Sequence, residues 1–81
     1  METALEKDEL LHSAGFRYSF RRMAYINTSA KKVVSVEALE EHSGDWLRQL
    51  IAQVNDSGDW LFYFDEPLPA AVKQAFLAEL R

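Results

Sequence analysis

The sequence predicts an α+β fold: a small single domain over residues 1–81, with element order α-β-β-α-β-α and a three-stranded mixed sheet packed against helices. Three observations lead there. Stretches with a helical apolar period alternate along the chain with stretches of period two or of continuous β-branched and aromatic character. A chain of 81 residues has room for one hydrophobic core, because halves of roughly 40 residues need metal, disulfides or oligomerisation to hold together. Finally, 48% hydrophobic and 27% charged residues make a chain that folds rather than one that stays disordered.

The first element is a helix within residues 1–15. Thr3 and Glu6 have the spacing of a capping box, Leu10, Leu11 and Ala14 give a narrow apolar side, and Gly15 suits the left-handed residue that ends a helix. In "GFRYSF" the rings of Phe16, Tyr18 and Phe20 alternate with Arg17, Ser19 and Arg21, the period of a half-buried strand. The alternation slips at Arg21-Arg22 before Met23 and Tyr25 resume it, which points to a bulge, a bend or a break, and residues 16–27 read as one long, interrupted strand. "NTSA" supplies turn-prone side chains and "KKVVSV" a β-branched run, which makes Met23–Ser35 a hairpin.

Ser35 is placed to cap a helical turn through "VEALEEH", and Ser43 to cap a helix in which Trp46, Leu47, Leu50, Ile51 and Val54 share a face. The pentapeptide "SGDWL" occurs at 43–47 and again at 57–61, but the second copy leads into "FYF", apolar on both alternating sets and therefore a strand. Ser-Gly-Asp is punctuation at the start of two different elements, and both Trp46 and Trp60 are expected in the core. "DEPLP" ends the strand, and a helix within residues 67–81 follows, with Leu68, Val72, Ala75, Phe76 and Leu80 as its apolar stripe. The expected sheet has the long strand in the middle, its hairpin partner on one side and "WLFYF" on the other.

Charge is unevenly distributed. No acid occurs from Leu10 to Val36, where Arg17, Arg21, Arg22, Lys31 and Lys32 lie among the rings of Phe16, Tyr18, Phe20 and Tyr25. Residues 37–81 hold nine acids against three bases, with Glu37, Glu40, Glu41 and Asp45 close together. Arginines interleaved with aromatics are the composition that binds phosphates and stacks on bases. On a half-buried strand, however, the same pattern is a solvated basic face that protects a sheet edge. The acids, in turn, suit helix starts or a surface that imitates nucleic acid.

Catalytic and cofactor signatures are not legible. His42 stands beside Glu41, Ser43 and Asp45, but sequence neighbours point in different directions and do not make a triad. His12 sits on the first helix with no third ligand candidate at the i, i+4 spacing of metal helices, so zinc is not expected, and Gly15, Gly44 and Gly58 are too scattered for a phosphate loop. The chain lacks cysteine, which excludes disulfides and fits a reducing compartment; a cytoplasmic location is the expectation. Its charge-free runs fall far short of the roughly 20 apolar residues that span a bilayer, and "METALEKDELL" is unlike a signal peptide.

The sequence therefore points to a small non-catalytic module that binds another macromolecule as an accessory or regulatory part: a protein first, a second copy of itself included. Neither cofactor, metal nor membrane is expected. Binding of RNA or single-stranded DNA through the basic strand 16–32 is the alternative, and an acidic inhibitor that mimics nucleic acid the next. The candidate partner-binding residues are Arg17, Arg21, Arg22, Tyr25, Lys31 and Lys32.

Overall fold

The computed structural model describes residues 3–80; Met1, Glu2 and Arg81, which the expected terminal segments include, lie outside them. The elements are α1 (Ala4–Ser13), β1 (Arg17–Ser19), β2 (Ala24–Asn27), β3 (Lys32–Ser35), α2 (Val36–Glu41), α3 (Gly44–Ala52), β4 (Leu61–Tyr63) and α4 (Ala70–Leu80). They form an α+β fold with a mixed four-stranded sheet in the order β1-β2-β3-β4, antiparallel except for the parallel pair β3–β4.

Helix starts follow the local chemistry. Thr3 Oγ1 accepts from Glu6 N at 3.2 Å while Glu6 reaches back to Thr3 N, closing the capping box. Ser35 Oγ accepts from Ala38 N at 3.0 Å and Ser43 Oγ from Trp46 N at 3.3 Å. Each bond satisfies one of the amides that a helix start leaves without a partner. Gly15 ends α1 at φ +98°, a conformation that strains any residue with a Cβ.

The sheet has four strands and not three, because the expected long strand is a hairpin. Phe20–Met23 form its turn, in which Ser19 Oγ accepts from Arg22 N at 3.3 Å and Met23 takes the left-handed φ of 50°. The register is Arg17↔Ile26, Tyr18↔Tyr25 and Ser19↔Ala24. Strand order differs as well. β4 lies beside β3 and not beside the 16–27 segment, with Lys32↔Leu61, Val33↔Phe62 and Val34↔Tyr63 in register. Burial accounts for this order: Val33 and Val34 are completely enclosed, so β3 is apolar on both faces and takes an inner position.

The two sheet faces carry separate cores. On one, Leu11 of α1, Leu39 of α2 and Leu47 and Leu50 of α3 pack with Phe16, Tyr25 and Val34, with half-buried Trp46 and Tyr63 against them. On the other, Phe76 of α4 packs with Ala24 and Val33, and half-buried Ile26, Trp60, Phe62, Phe64 and Leu80 complete the cluster. The second face is thinly covered: Phe76 is the buried residue of α4, and Val72 of the expected apolar stripe is exposed. Val54 falls beyond the end of α3 and is exposed too.

Lys32 joins the layers. Its side chain is 2% exposed, and its ammonium donates to the carbonyls of Leu50, at 2.6 Å, and of Gln53 at the C-terminus of α3. A cation there neutralises the negative end of the helix dipole and satisfies carbonyls that would otherwise be orphaned. Burial pushes its pKa below the usual lysine range, a cost that these two carbonyls offset. Lys32→Met keeps the length of the side chain but strands both carbonyls; urea unfolding is expected to show a loss of about 1–3 kcal/mol. Lys31→Met, on an exposed turn where the ammonium meets Gly58 O at 3.1 Å, is expected to stay within about 0.5 kcal/mol. Equal losses for the two variants would show that the buried ammonium does not hold α3.

Candidate functional site

The chain leaves α1 at Gly15, buries Phe16 and forms β1 as an edge strand whose outer side pairs with nothing among the described residues. The turn that follows carries the largest exposed apolar side chains of this region. Phe20 is 86% exposed and Met23 62%. Tyr18, exposed at 39%, meets Phe20 edge-on at 6.0 Å and leans on Tyr25 at 5.1 Å. Behind them Tyr25 is buried, its ring edge-on to His12 at 6.3 Å, so that four rings run from the hairpin tip to α1.

The tip is held on both sides. Met23 O accepts from Val36 N at 3.1 Å, tying the turn to the start of α2. Arg22 Nε donates to Glu79 at 2.5 Å, its guanidinium forms an ion pair with the same carboxylate, and it lies 5.2 Å over the Phe76 ring. The hydrogen bond from Arg22, helped by the charges of Arg22 and Arg21, holds the Glu79 carboxyl below the usual range against a smaller opposing effect of desolvation. The exposed rings thus sit on a turn braced by α2 and α4.

The six residues singled out by composition do not form one surface. Arg17 and Arg21 are exposed. Arg22 is half-buried and engaged with α4, while Tyr25 and Lys32 are buried and hold internal hydrogen bonds. Lys31 occupies the turn between β2 and β3, at the opposite end of the sheet from Arg21. Phe20 and Met23, by contrast, were readable only as strand residues. The slip in alternation at Arg21-Arg22 was the signal for the turn that exposes them.

A second feature lies between α1, α2 and α3: a cavity of about 500 Å³ lined by Lys7, Glu40, Glu41, His42, Ser43 and Asp45 among others. Lys7 Nζ donates at 2.7 Å to both Leu39 O and His42 O and so caps α2. The His42 ring is stacked on Trp46 at 4.0 Å, and the Ser43 hydroxyl is engaged as a helix cap. Trp46 and Trp60 belong to cores on opposite faces of the sheet, so no cleft is walled by both indoles. Among the described residues no group of three metal-ligating side chains is assembled, and no helix is long and apolar enough to cross a membrane.

The ring row has a consequence for pH. Tyr25 OH donates to Asp8 Oδ1 at 2.5 Å, and His12 Nε2 stands 3.6 Å from the same oxygen. Burial first, then the bond to Asp8 and its negative charge, push the phenol well above the usual tyrosine range. The unfolded chain releases that proton near pH ~10 while the folded chain keeps it. The stabilisation is therefore complete below that pH and is lost as pH rises beyond it. Tyr25→Phe is expected to cost about 1–2 kcal/mol at neutral pH and to flatten the alkaline fall of the urea midpoint. An unchanged alkaline slope would mean that Tyr25 does not carry it.

No protein-family pattern matches this chain, and neither a characterised protein nor a solved structure shows significant similarity to it.

Proposed function

We propose that this protein is a small binding module that docks another protein through the tip of its first hairpin. The observation that carries the reading is an apolar knob, Phe20 with Met23 and Tyr18, held in the open on a turn braced from two sides. Covering a Phe side chain releases about 1.5–3 kcal/mol, and a group already fixed in place loses little conformational freedom on binding. Arginine and aromatic side chains are the residues that dominate protein interfaces, and Arg17 and Arg21 are exposed on the same hairpin. The partner surface that fits is a depression wide enough to take a ring and rimmed by acids.

Binding of single-stranded nucleic acid is the second reading, favoured by Phe20 and Tyr18 standing exposed beside arginines. Charge weakens it. Affinity for a phosphate backbone grows with the number of cations that can line up along it. Lys32 is enclosed, Lys31 stands at the far end of the sheet, and Arg22 is matched by Glu79. Two exposed guanidinium groups make a short track.

A photoreactive phenylalanine analogue at position 20, introduced in cells, tests the proposal, with the same group at exposed Val54 as control. The expected result is a discrete polypeptide adduct from position 20 alone, which Arg21→Glu abolishes. Adducts to nucleic acid, or the same polypeptide adducts from both positions, would overturn it.

A further inference from the structure

We infer that the partner is a second copy of this chain, in a two-fold dimer where the hairpin tip of each copy docks at the acidic cleft between α1, α2 and α3 of the other. The inference rests on the docking role proposed for the hairpin and adds the identity of what it meets.

Position is the first argument. The tip is tied to the start of α2 by the Met23 O to Val36 N bond. α3 ends over Lys32, at the beginning of β3, so its first turn with Gly44 and Asp45 lies toward the other end of that strand, the end that carries the tip. Lys7 draws the N-terminal half of α1 to the same place through the carbonyls of Leu39 and His42. One end of the molecule therefore bears both the knob and the cleft. Two copies facing each other across a two-fold axis can then insert each knob into the other's cleft, and the arrangement closes at two subunits. Had the knob and cleft lain at opposite ends, the same contact would have propagated into an open chain.

Charge is the second. Exposed Arg21 sits next to Phe20 in the turn, and the cleft is rimmed by exposed Glu40 and Glu41 and by Asp45, whose carboxylate pairs with Arg48 at 3.2 Å. The one lysine of the cleft, Lys7, is already bonded to the end of α2. A cavity of about 500 Å³ has room for a benzyl group, and His42, backed by Trp46, offers it an aromatic wall. Opposite charges flank the ring on one copy and the cavity on the other, which fixes how the two surfaces meet. The free edge of β4 is a poorer route to a dimer. Antiparallel pairing of two β4 strands centred on Phe62 sets Asp59 of one against Asp65 of the other, and like charges directly opposite destabilise a strand pair.

Light scattering after size-exclusion chromatography at high micromolar concentration tests this with two charge reversals, Arg21→Glu and the double change Glu40→Arg with Glu41→Arg. All three sites are exposed, so circular dichroism and urea midpoints serve as folding controls. The wild type is expected to run as a dimer, and each variant to dissociate with a constant raised at least about tenfold. An equimolar mixture of the two variants is expected to recover a dimer, since both of its knob-to-cleft contacts again join opposite charges. A monomeric wild type, a dimer indifferent to both reversals, or a mixture that stays monomeric would overturn the inference. If position 20 then still crosslinks to a different protein in an Arg21-dependent way, the docking role of the hairpin stands without self-association; if it captures no polypeptide, both readings fall.

Discussion

Among the described residues, the ammonium of Lys32 is the charge that this small interior encloses, and the layout of the chain depends on where it points. It stands at the first residue of β3 and binds the last carbonyls of α3. After α2, helix α3 is thereby held to finish where β3 began. The chain then re-enters through Asn55, whose side chain donates to Ala30 O at 3.0 Å and Asp59 O at 2.8 Å, and β4 starts in parallel register with Lys32 opposite Leu61. Parallel neighbours need such a crossover, and here one buried cation anchors its far end. An apolar residue at position 32 would fill the space but leave α3 without a counter-charge at its negative end.

The same anchoring reaches the candidate site from the other direction. With its C-terminus held over Lys32, α3 presents its first turn, capped by Ser43, at the end of the sheet where the first hairpin turns over. α2 connects the two regions directly, because Val36 follows Ser35 without a loop and its amide is bonded to Met23 O. On the opposite face Arg22 crosses to Glu79 and Phe76. The thin second core thus gains a polar clasp at its rim, and the exposed rings of the tip gain rigidity. A knob whose backbone is already fixed loses little entropy when it is covered, which is the physical ground for the docking role proposed for Phe20.

What could be read from the residues is what is local. Capping at Thr3, Ser35 and Ser43 and the left-handed end at Gly15 involve atoms within a few residues of one another, so their spacing reveals them. The two "SGDWL" copies were separable for the same reason: the residues after each decide between helix and strand. The turn at 20–23 was hidden because it lacks the Asn-Gly or Asp-Gly pair that marks a short hairpin, and a methionine takes the left-handed position instead. Strand order was not legible, since a three-residue pairing between β3 and β4 spans nearly thirty positions of the chain and leaves no local mark. Lys32 was misleading on its own. A lysine that opens a β-branched run reads as surface, and only the arrival of α3 supplies carbonyls that make its burial tolerable.

The charge pattern illustrates why composition and surface part company. Five bases within sixteen residues look like a basic face, yet the hairpins distribute them: Arg21 to one end of the sheet, Lys31 to the other, Lys32 to the interior and Arg22 to α4. Acids at 40, 41 and 45 lie some twenty positions from Arg21 in the chain, yet β3, α2 and the start of α3 carry them to the tip's end of the molecule. The fold has thus taken a sequence polarised along its length and brought opposite charges together at one end while emptying the strip that composition advertised. A surface built this way presents adjacent regions of opposite sign around an apolar knob. That adjacency is what the proposed two-fold pairing draws on, and it is a property of the connectivity that no single segment possesses.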